Sequence, residues 1–320
     1  MRVFATLFWA LFWLSPAPSL AQAYPDRPIR MLVGYPAGGS VDASARAVAE
    51  RLGPMLGQPV LIENRAGATG NIAAELLTKA APDGYTLYMG TSINAVSVSL
   101  FKSLAYDPVR DFAPVSKVVV SPSVLVVHPS VPAKNVRELI AYARANPGKL
   151  TYGTTGAGSS PHLSAELFST LAGIRMLHVP YKGAAPLTTD LLGGHVAVTF
   201  SNPTSVIPHI PTGRVRAFAV TGARRFSQLP DLPTMIEEGF PDFDLTAWYG
   251  VMAPKGTSPD IISRLNDVLV KILQVPAVRE ILEKQGLEPQ SSTPAELAAE
   301  LKNDIAKYAK LLKDAGVTPQ

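Results

Sequence analysis

The chain has 320 residues, 47% hydrophobic and 17% charged, with a formal net charge of +4 and no cysteine. That length exceeds what one hydrophobic core usually serves, so two domains are expected, and the composition is that of a soluble globular protein rather than a disordered one. The missing cysteines exclude disulfides, thiolate metal sites, cysteine nucleophiles and a lipid-anchored N-terminal Cys; a small positive charge without a basic block gives no support for nucleic-acid binding and mildly favours an anionic small ligand.

Residues 1–23 read as a signal peptide. Arg2 supplies a positive start, Val3 to Leu14 is nearly all apolar, Pro16 and Pro18 break the run, and Ala21-Gln22-Ala23 is a small-residue cleavage site. The run is too short to span a bilayer comfortably. The mature protein is therefore expected to be exported and to begin near Tyr24, with an uncleaved anchor as the alternative.

From Tyr24 to about Gly90, short apolar runs alternate with amphipathic stretches. A strand is predicted over Ile29–Val33, a helix over Val41–Leu56 closed by Gly57, a strand over Val60–Glu63, a helix over Gly70–Ala80 and a strand over Tyr85–Gly90. A second series starts at Val124–Val127, with strands at Leu150–Gly153, Met176–Val179, Val196–Phe200 and Val215–Val220. Its helices are predicted at Asn135–Ala145, Pro161–Leu171, Pro186–Leu192 and Thr204–Pro211. After an acidic, Pro-rich loop, Trp248-Tyr249-Gly250-Val251 reads as one more strand. Helices at Pro259–Leu273, Ala277–Lys284 and Pro294–Asp314 close the chain. The alternation predicts an α/β protein with parallel sheets and right-handed crossovers. Two lobes are expected: residues 24–122 and 246–320 in the first, 123–245 in the second.

Two glycine-rich turns fall where a strand hands over to a helix. One is Pro36-Ala37-Gly38-Gly39, followed by Asp42; the other runs from Thr154, Thr155 and Gly156 through Ser159 and Ser160 to His162. Helix N-termini leave N–H groups unpaired, glycine permits close approach to them, and ligands of open α/β sheets bind at strand carboxyl ends. Each turn could hold an anion; ordinary tight turns capped by Ser and Asp fit the same residues.

Catalytic chemistry finds little support. Gly34 to Ser40 has P-loop spacing without the lysine, and neither turn matches a dinucleotide fingerprint. Ser159, Ser160 and His162 could form a secreted serine hydrolase, but no G-x-S-x-G elbow surrounds them. His162 and Glu166 stand four apart without a further ligand cluster, so neither a metal nor a cofactor is expected. Lys182 reads as a rim lysine rather than a Schiff-base group.

Longer segments resemble a known family. Tyr24-Pro25-Asp26-Arg27-Pro28-Ile29, Pro36-Ala37-Gly38-Gly39 with Asp42, Glu63-Asn64-Arg65-Ala66-Gly67-Ala68, Asp83-Gly84-Tyr85-Thr86-Leu87, His178-Val179-Pro180-Tyr181-Lys182-Gly183 and Leu191-Leu192-Gly193-Gly194-His195 are similar, in order, to motifs of the Bug family. These are periplasmic substrate-binding proteins of tripartite tricarboxylate transporters. The resemblance implies a two-lobed, Venus-flytrap binding protein, mostly parallel in each sheet. It implies a monomer that is not an enzyme, captures a small organic carboxylate and delivers it to membrane permease subunits, or serves a sensory system. It further implies that the two glycine turns face each other and hold one carboxylate through backbone N–H groups, hydroxyls and waters. Asn94, Asp190, Asn202 and Trp248 are candidates for the rest of the pocket, with a helix-surface carboxylate as the alternative for Asp190. The family often carries two prolines in the first turn; here Tyr35 precedes Pro36.

Overall fold

A computed structural model describes residues 24–156, 159–314, 317 and 319; the expected signal peptide lies outside them. The strands are β1 (Ile29–Val33), β2 (Val60–Asn64), β3 (Thr86–Thr91), β4 (Phe112–Ser121), β5 (Val124–Val127), β6 (Thr151–Thr154), β7 (Leu177–Pro180), β8 (Val198–Ser201), β9 (Arg216–Val220), β10 (Ala247–Pro254) and β11 (Glu288–Pro289). The α-helices are α1 (Ser40–Leu56), α2 (Asn71–Thr78), α3 (Ile93–Leu100), α4 (Pro108–Asp111), α5 (Val136–Ala145), α6 (Ser160–Ala172), α7 (Ala184–Leu192), α8 (Pro203–Val206), α9 (Pro259–Ile272), α10 (Pro276–Glu283) and α11 (Pro294–Asp314).

The strands form two sheets, a six-stranded one in the order β11-β4-β10-β3-β1-β2 and a five-stranded one in the order β7-β6-β8-β5-β9. Parallel pairing, as expected, joins β1 to β2 and β3, and β6 to β7 and β8. The expectation of mostly parallel sheets needs correcting beyond these. β10 is antiparallel to β3 and β4, β11 to β4, and β5 to β8 and β9. The reason is connectivity. β5 follows β4 after only Pro122 and Ser123, and β10 returns the chain to the first sheet, so neither is fed by the helical crossover that parallel pairing requires.

Local chemistry accounts for the elements that set up the cleft. β1 is IRMLV with Ile29, Met31, Leu32 and Val33 buried, as befits a central strand covered on both faces. α1 ends where Gly57 takes a left-handed conformation (φ 82°) and its N–H bonds the Gly53 carbonyl. α6 begins at Ser160 with Pro161 in its first turn, where the missing N–H costs nothing, and stops at the left-handed Gly173. A reciprocal capping box starts α11: Thr293 N–H reaches Glu296 at 2.8 Å, and Glu296 N–H reaches Thr293 Oγ1 at 3.2 Å. The buried stripe of α11, including Leu297, Leu301, Tyr308 and Leu312, packs on α3 and β4 and also reaches α6. One apolar core thereby runs from Leu32 and Tyr88 through Trp248 to Phe168 and Phe200.

Thr221, fully buried, ties together the two segments that pass between the sheets. Its N–H donates to Ser123 C=O (2.9 Å) and its Oγ1 accepts from Ser123 N–H (2.9 Å). The same hydroxyl donates to Leu245 C=O (3.0 Å), whose N–H returns a bond to Thr221 C=O (3.1 Å).

Candidate functional site

The carboxyl ends of β1, β3, β4, β6 and β8 converge with the amino ends of β5 and β10 on one cleft between the sheets. Two adjoining cavities occupy it. The larger, about 370 Å³, is lined by Tyr35, Pro36, Gly39, Ser40, Val41, Thr91, Ser92, Ile93, Ser160, Ala247 and Tyr249. The smaller, about 160 Å³, is lined by Ser121, Pro122, Ser123, Thr155, Ser160, Pro161, Ala184, Leu187, Ser201, Asn202, Ser205, Ala247 and Tyr249. Ser160, Ala247 and Tyr249 belong to both.

In the first glycine turn, Pro36 and Gly39 face the larger cavity; Ala37 and Gly38 are not among its lining residues. Gly38 has φ 85°, a left-handed conformation that side chains resist, whereas Gly39 sits at φ −77°, which any residue can adopt. Asp42 is buried under the turn and does not line the cavity. Its carboxylate accepts from Gly38 N–H (2.9 Å), Arg46 Nε (2.9 Å) and Asn64 Nδ2 (2.8 Å). Burial alone would raise its pKa, but the bonds from Arg46, Gly38 and Asn64 hold it below the usual carboxylate value. Asp42 thus shapes the turn from behind.

In the second turn, Thr155 and Ser160 face the cleft. Thr154 is buried, its hydroxyl 2.7 Å from His178 Nε2. Ser159 donates its one hydroxyl proton to Gly156 C=O (2.7 Å), away from any imidazole base. His162 is buried with its ring stacked on His178 (4.5 Å between centroids, 15° between planes), and Tyr152 stacks on the other side of His178 (4.9 Å). Burial, and for His162 the neighbouring ring as well, lowers both histidine pKa values, so both rings are neutral at pH 7. Glu166 accepts from Tyr152 and lies 3.9 Å from His162 Nε2.

Two candidates turn away from the cleft. Strand alternation aims Ala247 and Tyr249 at the cavities and Trp248 into the core, where its Nε1 donates to Asp304 Oδ2 (2.8 Å). Asn94 is engaged in a buried network: its Oδ1 accepts from Thr91 N–H (3.0 Å) and Tyr88 OH (3.2 Å), and its Nδ2 donates to Tyr106 OH (2.9 Å). Asp190 accepts from Tyr181 OH (2.7 Å) and lines neither cavity. Asn202 does line the smaller cavity, while its Oδ1 caps α8 through Thr204 N–H (3.0 Å).

Several wall residues are not among the sequence candidates: Ser40, Thr91, Ser92, Ser121, Ser123, Ser201, Ser205 and Tyr249. The strand-end rule is the signal that could find Thr91, Ser121 and Ser201, and alternation about Trp248 the one that could find Tyr249. Tyr35 OH is bonded to Thr69 C=O and Thr91 Oγ1 (both 3.2 Å), and Tyr249 OH to Ser40 Oγ (3.0 Å). Burial pushes the Tyr35 phenol up to about 12 and raises that of Tyr249 as well, so both remain neutral.

A family profile described as the tripartite tricarboxylate transporter family receptor matches residues 44–317. The chain belongs to that family. It is 41% identical over 302 residues to the protein BugT of Bordetella pertussis, covering 94% of this chain and 93% of BugT. Among solved structures, the R. palustris protein Rpa4515 with adipate is 38% identical with a TM-score of 0.78, covering 93% of this chain and 100% of the other. The periplasmic binding protein BugD is 36% identical with a TM-score of 0.74, at 93% and 100% coverage. The chain is accordingly a solute-binding protein of the Bug type, with two sheets flanked by helices.

Proposed function

We propose that this chain is exported, captures a small organic carboxylate between its lobes without altering it, and as a monomer delivers it to the permease subunits of a tripartite tricarboxylate-type transporter. The observation that carries this reading is the cleft itself. Gly39 and Ser40 at the start of α1, and Thr155 and Ser160 at the start of α6, come from opposite sheets and reach one continuous pair of cavities. Both helices are long enough to present a positive N-terminal end, and a carboxylate between them gains charge-assisted bonds from each side. Adipate in the related Rpa4515 protein supports the ligand class. The lobes would divide at Pro122–Ser123 and near Leu245, where the chain passes from one sheet to the other.

A calorimetric and melting screen of carboxylic acids tests the reading. An acid at about a hundredfold excess over its Kd should add about 2.7 kcal/mol of stability, and the matching amide much less. Small-angle scattering should show a more compact particle with the acid. Equal stabilisation by acid and amide would defeat the carboxylate assignment, and recovery of chemically altered ligand would defeat the non-catalytic one.

A further inference from the structure

On the far side of the crossing segments from the cleft lies another cavity, of about 200 Å³, with five charged residues in its lining: Lys117, Arg224, Asp244, Glu288 and Glu300. Pro122 lines both this pocket and the smaller cavity of the cleft. Its neighbours divide, Val120 to the pocket and Ser121 and Ser123 to the cleft; ahead of and within β10, Thr246 faces the pocket and Ala247 the cleft. The segments that pass between the sheets therefore stand as a wall between the two spaces. Rotation about such a wall that narrows one side widens the other.

The pocket holds opposite charges apart. Lys117 is buried and paired with Glu300 (Nζ to Oε2, 2.5 Å). Asp244 accepts from Thr246 Oγ1 (2.8 Å) and Glu288 from Ser227 N–H (2.7 Å), each through one of its two oxygens. Among the described residues the Arg224 side chain makes no hydrogen bond or ion pair, although both carboxylates line the same space. Nor are any three His, Asp or Glu among the described residues placed to hold a metal ion. What remains is a guanidinium without a partner and two carboxylates with an oxygen each to spare, around a space that suits a few heavy atoms rather than a drug-sized ligand. An ammonium group matches the carboxylates, and a carboxylate matches the guanidinium fork; an ion with only one of these groups leaves part of the pocket unmatched. The charges also come from both sheets, since Glu288 is on β11 of the six-stranded sheet and Arg224 follows β9 of the five-stranded one.

We propose that this pocket binds a small zwitterion, a free α-amino acid with a short side chain, its ammonium on Asp244 and Glu288 and its carboxylate on Arg224, and that its occupancy opposes closure of the cleft by tying the pocket walls together. The coupling to closure rests on the two-lobed carboxylate-binding reading above; the site itself rests on the pocket.

The test is titration calorimetry of L-alanine on the mature protein. Alanine should bind with a Kd of about 1 mM or tighter, and ethylammonium, which lacks the carboxylate, at least about tenfold more weakly. Arg224→Gln, Asp244→Asn and Glu288→Gln should each weaken alanine by about tenfold or more. The two acid replacements keep an acceptor for Thr246 and Ser227, and Arg224 has no bond to lose, so all three should melt as wild type does. With the tightest acid of the screen above saturating the cleft, alanine should still bind, at least about threefold more weakly, and the acid should lose the same factor when alanine saturates. Arg224→Gln should abolish that mutual effect while leaving the acid's own affinity within about twofold. No alanine binding, equal binding of ethylammonium, indifference to all three substitutions, or complete displacement of alanine by the acid overturns the site. An acid affinity unchanged by alanine overturns the coupling. If no acid binds, the carboxylate reading falls, while the alanine titrations still decide this site.

Discussion

At the scale of single residues, the cleft is governed by side chains that never reach it. Asp42 is the clearest case: one buried carboxylate takes the Gly38 N–H, the Arg46 guanidinium and the Asn64 amide, and so holds a left-handed glycine at the mouth of α1. Asp42→Ala removes the shared acceptor and leaves the Gly38 and Asn64 donors without it. We expect a loss of about 2 kcal/mol in urea unfolding, from the usual cost of stranded donors, together with weaker carboxylate binding. A variant with unchanged stability would show that the turn holds its shape unaided. Trp248 and Asn94 carry a related lesson. Both are pocket candidates by the family resemblance, yet each satisfies its polar atoms inside the core. The neighbours Tyr249 and Thr91 face the cleft instead. Alternation sets Trp248 and Tyr249 on opposite faces, but which face meets the cleft, and which way Asn94 turns on α3, depends on the distant elements packed against them.

At the scale of elements, two features brace the cleft, and the first is held against local preference. Ala68 (φ 45°) and Thr69 (φ 55°) lie in the left-handed region between Gly67 and Gly70, uncommon for any side chain and costly for a β-branched one. The loop is fixed by Tyr35 OH on the Thr69 carbonyl. At Gly34, where a Cβ would stand 2.5 Å from Gly70 Cα, the backbones approach too closely for any side chain. The cleft wall at Tyr35 is thus braced by a loop that strand and helix patterns could not foresee. The second feature is the Tyr152–His178–His162 stack joining β6, β7 and α6, with Glu166 beside it. Both histidines are lowered below the ordinary 6.5 chiefly by burial, so below that pH the unfolded chain binds more protons than the folded one. Stability should therefore fall as pH drops through this value. Melting curves between about pH 8 and pH 5 should show the fall, with a shallower slope in His178→Gln. Equal slopes in the two proteins would place the pH dependence elsewhere.

At the scale of the molecule, the proposed closure of two lobes would require crossing segments that bend without parting. Thr221 bonds both, through its backbone to Ser123 and Leu245 and through its hydroxyl to the same two residues. Thr221→Val preserves the shape but leaves Ser123 N–H and Leu245 C=O without that hydroxyl in a buried place. The expected cost is about 2 kcal/mol in urea unfolding, with a scattering profile that contracts less on adding ligand. A loss below about 0.5 kcal/mol would mean that water or a shifted backbone replaces the hydroxyl. α11 adds a second link, since its buried stripe packs against the first sheet and also touches α6 of the second.

Sequence by itself determined the α/β class, the two series of strands and helices, the glycine turns at the starts of α1 and α6, and the family. Each rests on local periodicity, capping chemistry or ordered motifs, all short-range along the chain. Tertiary structure alone decided the antiparallel insertion of β5 and β10, the Thr221 staple, the inward turn of Trp248 and Asn94, and the uncharged walls of the cleft. These arise where segments far apart in sequence meet. A side chain's partner, and therefore whether it binds ligand or holds the fold, is set by which distant backbone group lies within hydrogen-bond reach.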